Sequence, residues 1–382
     1  MLICNGDIFV DGAFQKLDMR VEDGRITGIG RLVPAAGEEV VDAAGDLVIP
    51  GLVEIHSHAC IGHDFANAEE ADIHSMCEWY AKNGVTTVLA TTMTNEYGVY
   101  KRGVKAIKAA ADAQRLSADA GQLSEARIAG INMEGPFLGL DKKGAHDPQY
   151  LMPLSEDVLE ELDELSGGRI RLVDLDPTLD GAIPFIEKYS KTKTISLAHT
   201  SCTYELAKEA VKAGANHVTH LFNAMDGLHH RKPGLIGAVM DENMYAEIIC
   251  DGVHVHPAVI RLMFAAVPEK MVLISDSMSA AGLSDGEYEL GGLKVYVKDG
   301  KATLADGTIA GSTIALWDGM QRAVQFGVKL EDAVKAATEN PAKSVRIESE
   351  AGYLIPGREA DFCIADRELN RKAVYLGGKL VG

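Results

Sequence analysis

Short apolar runs alternate with amphipathic stretches through most of this chain, and that alternation limits the folds open to it more than any other feature. Strand-like runs at 47–49, 86–89, 128–131, 170–173, 194–197 and 271–274 are separated by segments such as 70–83, 99–118, 204–213 and 313–326. The separating segments carry apolar residues at helical spacing, several behind a Ser, Thr or Asp able to cap a helix. Strands that alternate with helices pair in parallel, because a parallel crossover needs about a dozen residues or more. No GxGxxG opens the first helix, which removes the main support for an open dinucleotide-binding sheet. The pattern predicts an α/β fold with a closed (β/α)8 TIM-like barrel over residues 47–349.

The two ends have a different texture. Ile8-Phe9-Val10 runs into Asp11-Gly12, and Met19-Arg20-Val21 runs into Asp23-Gly24. Asp-Gly between β-type runs is a hairpin signal. Residues 360–365 and 373–378 repeat that texture, so segments 1–46 and 350–382 are expected to pair into one small β-sandwich domain. Residues 287–308 interrupt the alternation, and Lys298-Asp299-Gly300 between two β-type runs predicts an inserted hairpin there.

With 382 residues, 47% of them hydrophobic, the chain can bury a sizeable core. Its net charge of −19 is spread along the sequence and disfavours nucleic acid and anionic membrane surfaces as partners. No run reaches the roughly 20 apolar residues of a membrane span, and the first residues lack the pattern of a signal peptide. Cys4, Cys60, Cys77, Cys202, Cys250 and Cys363 show no paired spacing and read as reduced thiols of a cytoplasmic protein. An anionic substrate would need positive charge supplied by the site itself.

Chemistry-bearing residues gather where the apolar runs end. His56 and His58 follow Pro50-Gly51 and an apolar run, and residues i and i+2 of a strand share a face. Both imidazoles therefore point one way from a strand end, where barrel active sites lie. A lone histidine would read as a polar residue at a loop start; the pair reads as metal ligands. Glu134 precedes Gly135-Pro136, and His199 and Asp276 each close a further run. In His217-Val218-Thr219-His220 the two histidines fall on opposite faces of a strand, so His220 is expected inward and His217 structural. His, Glu and Asp in this mixture form a donor set for a borderline cation such as zinc.

Several longer matches go further: Met133-Glu134-Gly135-Pro136, Gly144-Ala145-His146, Ala198-His199, the run from Thr219 to Met225, Arg231-Lys232-Pro233-Gly234-Leu235, Asp251-Gly252-Val253-His254 and Ser275-Asp276. In these the chain resembles the amidohydrolase superfamily and, within it, the N-acetylglucosamine-6-phosphate deacetylase family, over essentially its full length. The resemblance implies metal-dependent hydrolysis of the acetamide of N-acetylglucosamine-6-phosphate to glucosamine-6-phosphate and acetate. It implies that Glu134, His199 and His220 bind a principal ion, and that His56 and His58 complete a second site bridged by Glu134. One or two divalent ions per subunit are expected, zinc first, with iron or manganese as alternatives. Asp276 is the implied general acid/base, with His146 steadying the oxyanion.

Implied substrate contacts are Ala145, His146, Asn223, Ala224, Arg231, Asp251, His254, Ile309, Ala310 and Gly311, with Arg231 reaching the neighbouring site of a homodimer. His63, His74, His229, His230 and His256 match no role. The chain departs from the family pattern at Glu54, Ala59, Asn132 and Leu175-Asp176-Pro177-Thr178. Asn132 and the 175–178 segment are expected near the substrate side of the barrel mouth, which keeps N-acetylgalactosamine-6-phosphate as a competing substrate. A hydrolase of cyclic amides or N-acyl amino acids would share the ligands but have no use for Arg231 together with Asn223-Ala224-Met225. A barrel that had lost catalysis would have lost ligands, and all six strand-end residues are present here.

Overall fold

The computed structural model describes residues 1–382. The chain opens with three antiparallel strands, β1 (Leu2–Val10), β2 (Ala13–Glu22) and β3 (Arg25–Gly30). Both Asp-Gly turns take the left-handed conformation a tight hairpin demands, with φ of 51° and 74° at Asp11-Gly12 and 49° and 76° at Asp23-Gly24. Two more strands, β4 (Val40–Asp42) and β5 (Leu47–Pro50), lie parallel to β1.

The barrel begins at β6 (Leu52–Ser57), followed by the short antiparallel pair β7 (Ala59–Cys60) and β8 (His63–Asp64). Then come α1 (Glu70–Lys82), β9 (Val85–Thr92), α2 (Tyr97–Asp119), β10 (Arg127–Glu134), α3 (Glu156–Leu165), β11 (Ile170–Leu175) and α4 (Ala182–Tyr189). The succession continues with β12 (Thr194–Leu197), α5 (Tyr204–Ala213), β13 (His217–Val218), α6 (Gly234–Asp241), β14 (Tyr245–Ile249), α7 (Pro257–Ala266) and β15 (Met271–Ile274). Strands β6 and β9 to β15 form one eight-stranded sheet in sequence order, with every adjacent pair parallel. That order belongs to a barrel, since a doubly wound sheet reverses direction at a switch point. At the seam between β15 and β6, Asp276 N–H donates to His56 O (2.9 Å) and Ser275 N–H to Glu54 Oε2 (3.0 Å).

After β15 the expected hairpin gains a third strand. β16 (Gly286–Leu290), β17 (Leu293–Lys298) and β18 (Lys301–Thr303) form an antiparallel sheet. Leu290, Val295, Val297 and Ala302 pack on Met93 and Met278, which seats the insertion against the barrel mouth. Helices α8 (Leu316–Gln325), α9 (Leu330–Ala337) and α10 (Glu339–Ser344) complete the ring. The main core lies between sheet and helices, where Val88, Ile131 and Ile195 meet Ile107, Ala207, Met263 and Trp317. No helix is long and apolar enough to cross a membrane.

The C-terminal strands β19 (Phe362–Ala365), β20 (Arg371–Leu376) and β21 (Lys379–Leu380) return to the N-terminal ones, in the order β21-β20-β19-β5-β1-β2-β3. This sheet curls until β3 meets the segment before β19: Ile26 N–H donates to Arg358 O (2.8 Å) and Gly357 N–H to Ile26 O (2.7 Å). Its separate core contains Ile3, Ile8, Met19, Val48 and Phe362. Residues 47–50, expected to open the barrel, belong here instead, because β5 takes β1 and β19 as its neighbours. Gly51 lets the chain cross from one sheet to the other, since a Cβ there would sit 2.1 Å from the Thr86 hydroxyl. Arg127 of β10 pairs with Glu359 and Asp361, joining the two bodies by charge.

Candidate active site

Local backbone geometry at the strand ends aims the functional side chains. His199, His220 and Asp276 each stand two residues beyond β12, β13 and β15, and each adopts a left-handed φ, 45°, 28° and 48°. A non-glycine residue in that region is uncommon and marks a position held by its surroundings. Gly311 supports one of them closely: its φ is +69°, and a Cβ there would press to 3.0 Å on the carbonyl of Asp276. Ser312 N–H bonds that same carbonyl at 2.7 Å.

His58, Glu134, His199, His220 and Asp276 converge on the floor of one cavity, with His56 buried directly against them, all six at most 8% exposed. Glu134 is the hub. Its Oε1 lies 3.1 Å from His199 Nε2 and 3.0 Å from His220 Nε2, and those two nitrogens are 3.0 Å apart. Its Oε2 lies 3.0 Å from His58 Nε2 and 3.4 Å from His146 Nε2. Asp276 Oδ1 is 3.4 Å from His58 Nε2 and 3.6 Å from His56 Nε2. Hydrogen bonds from the far ring nitrogens fix the tautomers. His199 Nδ1–H donates to Lys142 O (2.7 Å) and His56 Nδ1–H to Glu247 Oε2 (2.8 Å), so both Nε2 atoms face the cluster.

Charge is tuned by burial against pairing. Burial alone would raise the Glu134 carboxyl, but the charges of His146 and His56 and hydrogen bonds from His146 and His199 hold it well below its ordinary range. Asp276 is also pushed up by burial and pulled down further by the hydrogen bond from His58 and the charges of His56, His58 and His220. Burial disfavours protonation of His58, yet its bonds to Asp276 and Glu134 carry it up to about 10. His199, where burial dominates, falls to about 4 and stays neutral.

These residues fit a divalent cation. Ligand atoms on a tetrahedron around zinc at about 2.0–2.1 Å stand roughly 3.3 Å apart, close to the edges of the Glu134, His199 and His220 triangle. His56 Nε2 is fully buried and has no hydrogen-bond partner, as expected of a nitrogen kept for a cation. His56, His58 and Asp276 form one group of potential ligands, and Glu134, with an oxygen toward each side, can bridge it to the other histidines.

Above the floor opens a cavity of about 350 Å³, within the range of small-molecule sites. Of the expected substrate contacts, Ala145, His146, Asn223, Ala224, His254, Ile309 and Gly311 line it. Three do not. Ala310 is buried among Met93, Met278 and Leu290. Asp251 instead orients His254, its Oδ2 accepting from His254 Nδ1 at 2.6 Å. Arg231 is exposed, with Nη1 2.6 Å from His230 Nε2 and off the lining of this chain's own cavity. His146 Nδ1 is tied to Thr94 Oγ1 at 2.8 Å, leaving Nε2 directed at the floor.

Sequence reasoning missed Met93, Asp141, Lys142, Leu290 and Thr308, which also line the cavity. It also placed His217 wrongly with respect to the barrel interior. The strand stops at Val218 and the left-handed turn at His220 re-aims that residue, so both histidines point inward. His217 is fully buried, with Nδ1 3.0 Å from Ser196 Oγ and Nε2 3.9 Å from Glu247 Oε1. Asn132 and Asp176, expected near the substrate, are packed away from it. Asn132 donates to Ile55 O (3.2 Å), and Asp176 Oδ1 accepts from Thr200 Oγ1 (2.5 Å) and Thr178 N (2.9 Å). His63 and His74 pair with Asp72 and Glu125, and His256 caps α7, in keeping with structural roles.

Residues 47–381 match the amidohydrolase family. The chain is 33% identical to N-acetylglucosamine-6-phosphate deacetylase of Bacillus subtilis, over 91% of this chain and 88% of that one. It is 31% identical to N-acetylgalactosamine-6-phosphate deacetylase of Escherichia coli O157:H7, over 97% and 96% of the two chains. The solved N-acetylglucosamine-6-phosphate deacetylase of Mycobacterium smegmatis, a mutant in complex with N-acetyl-D-glucosamine-6-phosphate, superposes with a TM-score of 0.90 at 31% identity, covering 100% and 99%. That of Pasteurella multocida gives 0.90 at 26%, covering 99% and 98%. By fold, strand-end donor set and likeness, the chain belongs to the amidohydrolase family and, within it, to the N-acetylglucosamine-6-phosphate deacetylases.

Proposed function

We propose that this chain hydrolyses the acetamide of N-acetylglucosamine-6-phosphate to glucosamine-6-phosphate and acetate. The observation that carries the reading is the buried Asp276 carboxylate, within 3.4 to 3.6 Å of His58 and His56, on the floor of a cavity that His146 also lines. Glu134, His56, His58, His199 and His220 would hold one or two ions, zinc the first choice from the histidine–carboxylate donor set. A divalent cation held there lowers the pKa of water toward about 7 and polarises the acetamide carbonyl.

The chain's own groups do the rest. Asp276, kept ionised, takes a proton from the attacking water and returns it to the sugar nitrogen as the C–N bond breaks. His146, its Nδ1 satisfied by the Thr94 hydroxyl, presents Nε2–H to the developing oxyanion. Lys142 is the single lysine or arginine among the lining residues and supplies positive charge for the phosphate from within the chain. Arg231 lies off that lining; the homodimer in which it serves the neighbouring cavity rests on the resemblance to the deacetylase family. The six free thiols, five of them buried, accord with a reducing compartment, the cytoplasm.

Acetate release tests this, with N-acetylglucosamine-6-phosphate, the unphosphorylated sugar and the galacto epimer compared and metal content assayed on the same sample. The reading expects fast release from the first and collapse without the phosphate. Preference for the epimer, as the name of the E. coli relative would suggest, keeps the mechanism and changes the sugar. No release from fully metallated protein sinks the sugar-phosphate assignment.

A further inference from the structure

Beneath the histidine cluster lies a carboxylate that touches both of its halves. Glu247 sits in the middle of β14, in the otherwise apolar run Tyr245-Ala246-Glu247-Ile248-Ile249, and is fully buried. Its Oε2 accepts from His56 Nδ1–H (2.8 Å) and from the backbone N–H of His220 (3.0 Å). Its own carbonyl accepts from Leu221 N–H (2.8 Å). No lysine or arginine pairs with it; the side chains nearest its carboxylate are His56, 2.8 Å away, and His217, 3.9 Å away. A strand wholly inside a barrel tolerates a charged residue poorly unless its surroundings use that charge.

The two bonds act on different ligands by different means. The bond to Nδ1 sets the His56 tautomer and turns its partnerless Nε2 toward Glu134 and Asp276, 3.7 and 3.6 Å away. The bond to His220 N–H pins the turn in which that residue holds φ of 28°. A carboxylate hydrogen-bonded to a ligating histidine orients the ring and raises its basicity.

We propose that Glu247 is a positioning residue that couples the two cation positions, through the ring of His56 on one side and the backbone of His220 on the other. The proposal rests on the reading that the floor holds two divalent ions. It does not depend on which substrate is cleaved, so inactivity toward sugar phosphates leaves it standing.

The test is metal binding by wild-type and E247Q protein, followed by chelator competition and by the visible spectrum of the cobalt-substituted forms. Glutamine keeps one acceptor oxygen for two donors and removes the charge. The expected result is that the ion at His56 and His58 weakens by about 10- to 100-fold, that the cobalt spectrum changes, and that the metal-free melting temperature stays near that of wild type. H56A should weaken the same ion, and the E247Q/H56A double variant should lose less than the sum of the two. Additive losses, unchanged affinities, or a single ion in fully loaded wild type overturn the proposal. Should E247Q fail to fold, ¹⁵N-histidine NMR of the wild type decides: a His56 ring protonated at Nε2 rather than Nδ1 overturns it.

Discussion

The floor of the cavity and its rim are built on different terms. On the floor, His58, Glu134, His199, His220 and Asp276 stand at strand ends or one or two residues past them, nearly buried. The rim comes from loops and the insertion. Lys142 is paired with Asp226 (2.6 Å), a carboxylate that a phosphate could displace, while Arg231 bonds only its neighbours His229 and His230. On the proposed reading, strand ends hold the groups that move protons, and loops hold those that choose the substrate. The difference makes a kinetic claim: floor substitutions act on kcat, and rim substitutions act on KM.

The largest expected effect is at Asp276. Asp276→Asn removes the proton carrier and should lower kcat by about 10²- to 10⁴-fold, with KM and metal content near wild type. Steady-state acetate release beside a metal assay measures this, and a loss confined to KM would break the division between floor and rim. His146→Asn comes next, with a drop in kcat of about 10²- to 10³-fold if its Nε2–H meets the oxyanion. A variant that instead loses an ion would make His146 a ligand, which its proximity to Glu134 and His199 also permits.

On the rim, Arg231→Ala and Lys142→Ala should each raise KM about 10- to 100-fold, the value of a charge-assisted hydrogen bond of about 1.5–3 kcal/mol, with kcat little changed. Neither should affect the unphosphorylated sugar. The two differ in a way that tests assembly: mixing Arg231→Ala chains with Asp276→Asn chains should restore activity if arginine crosses to the partner. Lys142→Ala, which fails within its own chain, should not be rescued by the same mixing. Equal behaviour of the two mixtures would remove the argument for a shared site.

The floor was largely legible in the sequence and the rim much less so, for a physical reason. Strand ends in a parallel barrel all point to one mouth, so a polar residue closing an apolar run is placed by topology alone; Glu134 and Asp276 were found in that way. Topology does not place loop side chains. Lys142 falls in none of the matched motifs, and motif matching at Asp251 located the residue without showing that it serves His254 rather than the cavity. Strand length is another blind spot: β13 stops at Val218, which defeated the alternation argument at His217 and His220. Pairing partners are a third, since nothing local distinguishes β5, in the terminal sheet, from the barrel strand β6. The buried acids Asp174 and Glu247 do leave a signal, a carboxylate inside an apolar run, that a search of strand ends does not reach.

The smallest expected effect sharpens the comparison most. Asp176 departs from the family pattern, and in sequence that departure placed the choice of sugar in doubt. Its carboxylate faces Thr200 and Thr178 rather than the cavity, bonding the loop just past His199. Asp176→Asn should therefore leave the ratio of activities on the two epimers within about twofold. Its effect should appear as lost stability of about 1–3 kcal/mol, the cost of disturbing a buried hydrogen bond, read as a lower melting temperature. Should the epimer ratio move while the melting temperature does not, the loop beneath the rim is part of recognition. The boundary between floor and rim would then have to be drawn one residue layer deeper.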